Sequence, residues 1–171
     1  ERVATLTSIM STAWADDPEM PAIDLNVFKN IGINTIKYGL SGDLEDAVKL
    51  RIAIRELLMG REKYDLDIES IAQLTRYNIE RRNGYNQKSG REQTEAIKIS
   101  GSRIEKLRTL NIPTLVVHGK SDPLIPFEHG VKTAELVPNA ETLWVEGMGH
   151  TLPKMYSDTI VLRTLSMIQE F

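Results

Sequence analysis

Two apolar, β-branched runs, TLVVH from Thr114 and ETLWVE from Glu141, frame a segment that reads as a single helix. That spacing constrains the fold more than any other feature of the chain. The helical segment opens at Pro126 and continues FEHGVKTAELV; a proline at the first helical position gives up no hydrogen bond that the helix needs. Strand, helix and strand in this order make a parallel crossover, so both following loops leave at the same edge of the sheet. With neighbouring strands about 4.8 Å apart, polar groups in those loops converge in one crevice. Asp122 follows the first run and His150 the second.

The rest of the chain divides around this unit. VATLTSIMS from Val3 is a further buried strand, and Ser157 is placed to cap a closing helix, SDTIVLRTLSMIQEF, with Ile160, Leu162, Leu165 and Ile168 as its apolar stripe. Between Asp17 and about Ser100 the periodicity turns helical. Ser41 or Asp43 starts DLEDAVKLRIAIRELL, Asp67 starts DIESIAQLTRYNIERR, and Ser89 with Glu92 stands at capping-box spacing before QTEAIKIS. The turn clusters YGLSGD and RRNGYNQKSG are too short for disordered linkers. The expected organisation is a core strand and loop over 1–16, an all-α insertion over 17–100, and an α/β segment over 101–171.

Composition narrows the function classes. At 171 residues and 41% apolar, the chain is long enough for one domain with a core. It has no Cys, which excludes a disulfide scaffold and a cysteine-ligated metal site, and three separated His are poor material for zinc, so no metal is expected. A net charge of -3 without a basic block argues against nucleic acid and anionic lipid as partners. No run approaches the roughly 18 to 20 apolar residues of a membrane span, and no charged-then-apolar leader opens the chain. Lack of Cys leans toward a cytoplasmic protein.

The chemistry rests on the two loops. A carboxylate at 122 can accept a hydrogen bond from one imidazole nitrogen of His150 and leave the other as a base. Each residue also has a plainer reading. Asp before Pro forms turns, and Gly147 and Gly149 make a tight turn whose histidine the backbone satisfies. His118, at a strand end beside Gly119, reads as structural and fixed under the acid loop; His129, early on a helix, reads as solvated. Trp14 follows the first strand at the same sheet edge and either lines a substrate pocket or packs beneath the helical segment. Met20, Met148 and Leu152 have similar claims. Tyr38, Tyr64, Tyr77 and Tyr85 either shape an acyl- or ring-binding cavity or pack helices together.

HGKSDPLIP resembles the acid loop of the α/β-hydrolase family, and GMGH resembles its base loop. ERVATLTSIMST resembles the strand after the family's nucleophile-bearing helix, and the helical middle resembles its inserted cap. IERRNGYNQKSGREQTEAIKISGSRIEKLRTLNIPTL is similar to bacterial members of the aclacinomycin methylesterase type. The resemblance implies a partial α/β-hydrolase parallel sheet of about three strands with an α-helical cap. It also implies Asp122 as acid, His150 as base, and hydrolysis of a small-molecule ester by a covalent serine route without a cofactor. The nucleophile elbow G-x-S-x-G is missing: GLSGD from Gly39 has Asp43 where the last glycine belongs, and GKSDP from Gly119 has Pro123 there. The family's order of nucleophile, acid and base places the serine upstream of Glu1, so the chain alone is expected to be inactive. Two rival readings stand beside this one. One is a non-catalytic binding or interaction module; the other is a different chemistry on the same scaffold, such as a peptidase, dehalogenase or carbon-carbon hydrolase. A sheet cut before its first strand leaves an apolar edge at Val3 to Ser11, which predicts a homo-oligomer or association with a preceding N-terminal half.

Overall fold

The computed structural model describes residues 3–62 and 64–169. In chain order the elements are β1 (Leu6–Ile9), α1 (Leu25–Tyr38), α2 (Leu44–Leu58), α3 (Ile68–Arg82), α4 (Gln87–Ser100), α5 (Ile104–Arg108), β2 (Thr114–Gly119), α6 (Phe127–Leu136), β3 (Glu141–Val145) and α7 (Lys154–Gln169). The described residues form two compact units. One draws on Glu1–Asp24, Leu58–Glu62 and Ser102–Phe171, the other on Leu25–Leu57 and Lys63–Gly101. Two stretches that the sequence reading gave to the helical insertion, 17–24 and Leu58–Glu62, therefore group with the sheet. Long-range hydrogen bonds to backbone carbonyls explain this: the Pro21 carbonyl accepts from the His129 side chain on α6, and the Leu58 carbonyl accepts from the His150 backbone N–H.

The sheet is parallel, in the order β1-β2-β3. Leu6 to Ile9 pair with Thr114 to Val117, and Leu115 to Gly119 pair with Glu141 to Val145. Every residue of β2 is buried, which is why that strand reads as an unbroken apolar run rather than an alternating one. Alternate residues face opposite sides. Leu115 and Val117 enter a core with Met148, Ile160 and Met167, so α7 covers that face. His118 lies on the other, against Gly130 of α6.

The closing helix differs from expectation. α7 starts at Lys154, directly after Pro153, and the Ser157 hydroxyl donates to the Lys154 carbonyl instead of capping an end. Ile160 and Met167 are its buried residues, whereas Leu162, Leu165 and Ile168 are exposed. Helix geometry accounts for this: positions seven apart share a face, while Leu162 and Leu165 lie roughly 160° and 140° around the axis from Ile160.

The helical unit buries Val27, Val48, Leu50, Ile71, Ala72 and Thr75. Its caps follow side-chain chemistry. Asp43 Oδ1 accepts from the backbone N–H groups of Glu45 and Asp46 at the start of α2, and Asp67 accepts from Ser70 N–H at the start of α3. The Ser70 bonds hold the Asp67 carboxyl below its ordinary range. α4 begins earlier than expected, because Asn86 is its N-cap and Ser89 supplies the N–H that Asn86 accepts. Among the described residues no helix is long and apolar enough to cross a membrane.

Candidate active site

The two loops at the carboxyl ends of β2 and β3 meet. His150 Nδ1 lies 2.8 Å from Asp122 Oδ2. The Asp122 side chain is fully buried, and its second oxygen, Oδ1, accepts from Leu124 N–H at 2.8 Å and Ile125 N–H at 2.9 Å. These two bonds fix the carboxylate before any partner arrives. Because a carboxylate oxygen accepts, Nδ1 of His150 carries the hydrogen, and the Nε2 lone pair is left to take a proton. About a quarter of the imidazole side chain (24%) is exposed. Buried acid and part-open base is an arrangement suited to proton transfer with a molecule arriving from solvent.

Glycine backbone holds the base loop. Gly147 takes φ 70, a conformation that L side chains rarely adopt. Gly149 has no such φ; it is required because an added Cβ would sit 2.2 Å from Gly60 N, 2.4 Å from Leu58 O and 2.5 Å from Met59 C. Through this close approach the His150 N–H reaches the Leu58 carbonyl at 2.8 Å. The acid loop is tied to the base loop in the same way, with Lys120 N–H donating to Val145 O and Ser121 N–H to Met148 O. Among the sequence candidates, Asp122 and His150 are therefore joined by backbone as well as by their side chains.

The other two histidines are both buried. His118 sits beneath the acid loop as expected, with no exposed surface, and its Nε2 is 3.0 Å from the Ile125 carbonyl. A carbonyl only accepts, so Nε2 carries the hydrogen; its 3.6 Å distance to Asp122 Oδ2 is too long for a hydrogen bond. Nδ1 is buried without a hydrogen-bond partner, beside Gly130, where a Cβ would come within 2.5 Å of it. Burial pushes the His118 pKa down, against the raising effects of Ile125 O and Asp122. The folded value lies below the unfolded one, so as pH falls below about 6.5 the unfolded chain takes up the proton first. Stability held by neutral His118 is thus present above that pH and lost as pH drops toward the folded value. His118→Gln is expected to flatten this acid-side loss, as read by denaturant unfolding at about pH 5 and about pH 7.5.

His129 corrects the reading of a solvated residue: it is 1% exposed. Its Nε2–H donates to Pro21 O at 2.9 Å, and Nδ1 meets Thr12 Oγ1 at 2.8 Å. Arg103 holds the same loop, donating through Nη2 to Thr12 O and through its backbone N–H to Ala13 O. Together they fix the loop after β1, which carries the half-buried Trp14. Nothing local in the sequence marks these two residues.

Among the proposed pocket-lining residues, Met148 is a correction. It is 1% exposed and packs with Leu115, Val117, Ile160 and Met167, because the turn at Gly147 folds its side chain into the core and leaves none of it for a ligand. Leu152 is exposed on the loop after His150. Tyr38 and Tyr85 line a cavity within the helical unit; Tyr77 and Tyr85 are both exposed. No group of acidic, His or Cys side chains able to hold a metal occurs among the described residues.

Residues 87–164 match a family described as TAP-like protein. The α/β hydrolase domain-containing protein 17C of Mus musculus is 44% identical over 55 residues, which is 32% of this chain and 17% of that protein. The bifunctional esterase/perhydrolase DCH of Acinetobacter calcoaceticus is 36% identical over 66 residues, 38% of this chain and 24% of that protein. A solved meta-cleavage product hydrolase from Pseudomonas fluorescens aligns with a TM-score of 0.62 at 16% identity, covering 99% of this chain and 57% of that one. The matches thus span less than a quarter of these curated relatives and little over half of the solved chain. The structural likeness runs through nearly the whole sequence and includes the parallel sheet that brings the two loops together: the chain has the α/β-hydrolase fold.

Proposed function

We propose that the complete protein hydrolyses a small-molecule ester by a covalent serine route, with His150 as its base and Asp122 as the acid that orients it. The observation that carries this reading is the 2.8 Å bond between His150 Nδ1 and a buried carboxylate already held by two backbone N–H groups. The chain has no G-x-S-x-G, so the reading assigns the nucleophile to residues outside this sequence. His150 Nε2 takes the serine proton as the serine oxygen bonds to the acyl carbon, then returns it to the departing alcohol. Water repeats the cycle in the second half, its proton passing to Nε2 and on to the serine. Asp122 holds the tautomer and stabilises the imidazolium throughout. The route calls on no cofactor. Trp14 and Leu152, on the loops after β1 and β3, are proposed to line the acyl or alcohol side. An esterase among the sequence relatives favours ester chemistry over the alternatives.

The test compares the complete protein with residues 1–171 alone, using a fluorophosphonate probe and a short-chain p-nitrophenyl ester. The complete protein is expected to be labelled and to turn over the ester, and residues 1–171 to do neither. Labelling of a serine within residues 1–171, or no labelling of the complete protein, would overturn the reading.

A further inference from the structure

The helical unit contains a cavity of about 290 Å³ formed entirely by its own residues. Its lining combines apolar Leu44, Leu50 and Ile79 with Tyr38, Tyr85 and Arg51. Arg51 stacks on the Tyr85 ring, its Cζ 4.1 Å from the ring centroid. Stacking occupies the guanidinium's face and leaves its in-plane N–H donors to other partners. Among the described residues the Arg51 guanidinium makes no hydrogen bond and no ion pair, unlike that of Arg76, which pairs with Glu45, or of Arg163, which pairs with Glu141.

The charge balance around Arg51 is incomplete. Burial disfavours the charged guanidinium; Tyr85 favours it, and Arg55, one helical turn away, disfavours it. Asp43 is the carboxylate of the cavity wall, but its Oδ1 accepts from Glu45 and Asp46 N–H at the start of α2, and no ion pair joins it to Arg51. Tyr85 is held over Arg51 with φ 58, a backbone state uncommon for a bulky side chain. The site is a part-buried cation with free donors, one aromatic plate and an apolar lining.

The geometry points to this cavity as a binding site for a small aromatic or short-chain carboxylate, its carboxylate on Arg51 and its apolar body against Leu44, Leu50 and Ile79. A planar guanidinium fork matches a carboxylate in a two-point contact. A free phosphate would need more donors and would leave the apolar lining uncovered. The volume is at the small end of ligand pockets and suits a ligand of roughly ten heavy atoms. This inference stands apart from the ester-hydrolysis reading, since it uses none of the residues of the Asp122–His150 site.

Benzoate is the probe, with benzyl alcohol as its uncharged counterpart and inorganic phosphate as an anion without an apolar body. Titrations of the chain follow the Arg51 Nε–Hε and Tyr85 ring signals by NMR. Benzoate is expected to shift both signals saturably below about 10 mM, with benzyl alcohol and phosphate each weaker by about tenfold or more. Arg51→Lys keeps the charge and loses the fork, and should weaken benzoate about tenfold while signal dispersion elsewhere is unchanged. Tyr85→Leu, which removes the stacking plate, should weaken it as well. Absence of a saturable benzoate shift would overturn the inference. So would equal binding of phosphate or benzyl alcohol, or equal benzoate binding in a folded Arg51→Lys.

Discussion

Replacing His150 with alanine in the complete protein is expected to lower kcat/KM for its ester by about 10⁴- to 10⁶-fold, with the fold intact. The imidazole is part exposed and its side chain is hydrogen-bonded to Asp122, so its loss leaves Asp122 still bonded to Leu124 and Ile125 N–H. The acid separates two roles of one carboxylate. Asp122→Asn keeps an oxygen for the two backbone donors but turns a donor toward Nδ1, forcing the tautomer whose Nε2 carries hydrogen. It should cost about 10⁴-fold in turnover with little change in stability. Asp122→Ala should be as inactive and also less stable by about 2–4 kcal/mol, because two part-buried N–H groups lose their acceptor. Steady-state kinetics and urea unfolding of the three variants check the pattern. A His150→Ala enzyme that retains its rate within a factor of about ten would refute the assignment of the base.

The second large effect is on stability. Gly149→Ala is expected to lower the Tm of the chain by about 5–10 °C, since its Cβ would meet backbone rather than movable side-chain ends, at a cost of about 3 kcal/mol. The clash falls on Gly60 N, Leu58 O and Met59 C, so the His150 N–H to Leu58 O bond would break as the loop shifts. Gly32 and Gly90 are the controls. Both lie inside helices, and a Cβ on either meets nothing within 4 Å. Alanine at those positions should stabilise by about 0.5–1 kcal/mol through helix propensity. Differential scanning calorimetry of the three variants distinguishes a glycine needed for close approach from one that is merely tolerated.

These two sites show which kind of information the sequence carries. Asp122 and His150 were legible because strand, helix and strand spacing fixes where both loops emerge, whatever surrounds them. Asp67 as a cap was legible for the same local reason, while Pro126, expected at the first helical position, is the N-cap residue just before α6. His129 was not, because its partners Thr12 and Pro21 lie 117 and 108 residues away, and a histidine on an isolated helix turn looks solvated. Met148 looked like a pocket residue from its place beside His150, yet the φ 70 turn at Gly147 turns it into the core. The need for glycine at 149 was equally hidden, since it arises from Gly60, a residue within the span expected to form the helical insertion and about 90 positions away in the chain. The stripe on α7 failed because apolar composition does not say which side of a helix the sheet occupies.

The path of Leu58–Glu62 has a consequence for engineering. This short segment interrupts the helical unit, leaving it after α2 to join the sheet unit and returning before α3. The helical unit is consequently threaded twice and cannot be cut out as one continuous block. A truncation joining Asp24 directly to Ser102 would discard the carbonyl of Leu58 and the Gly60 backbone that Gly149 closely approaches, and with them the support of the histidine loop. A minimal version of the sheet unit would need two bridging linkers that retain those five residues in place, one on each side.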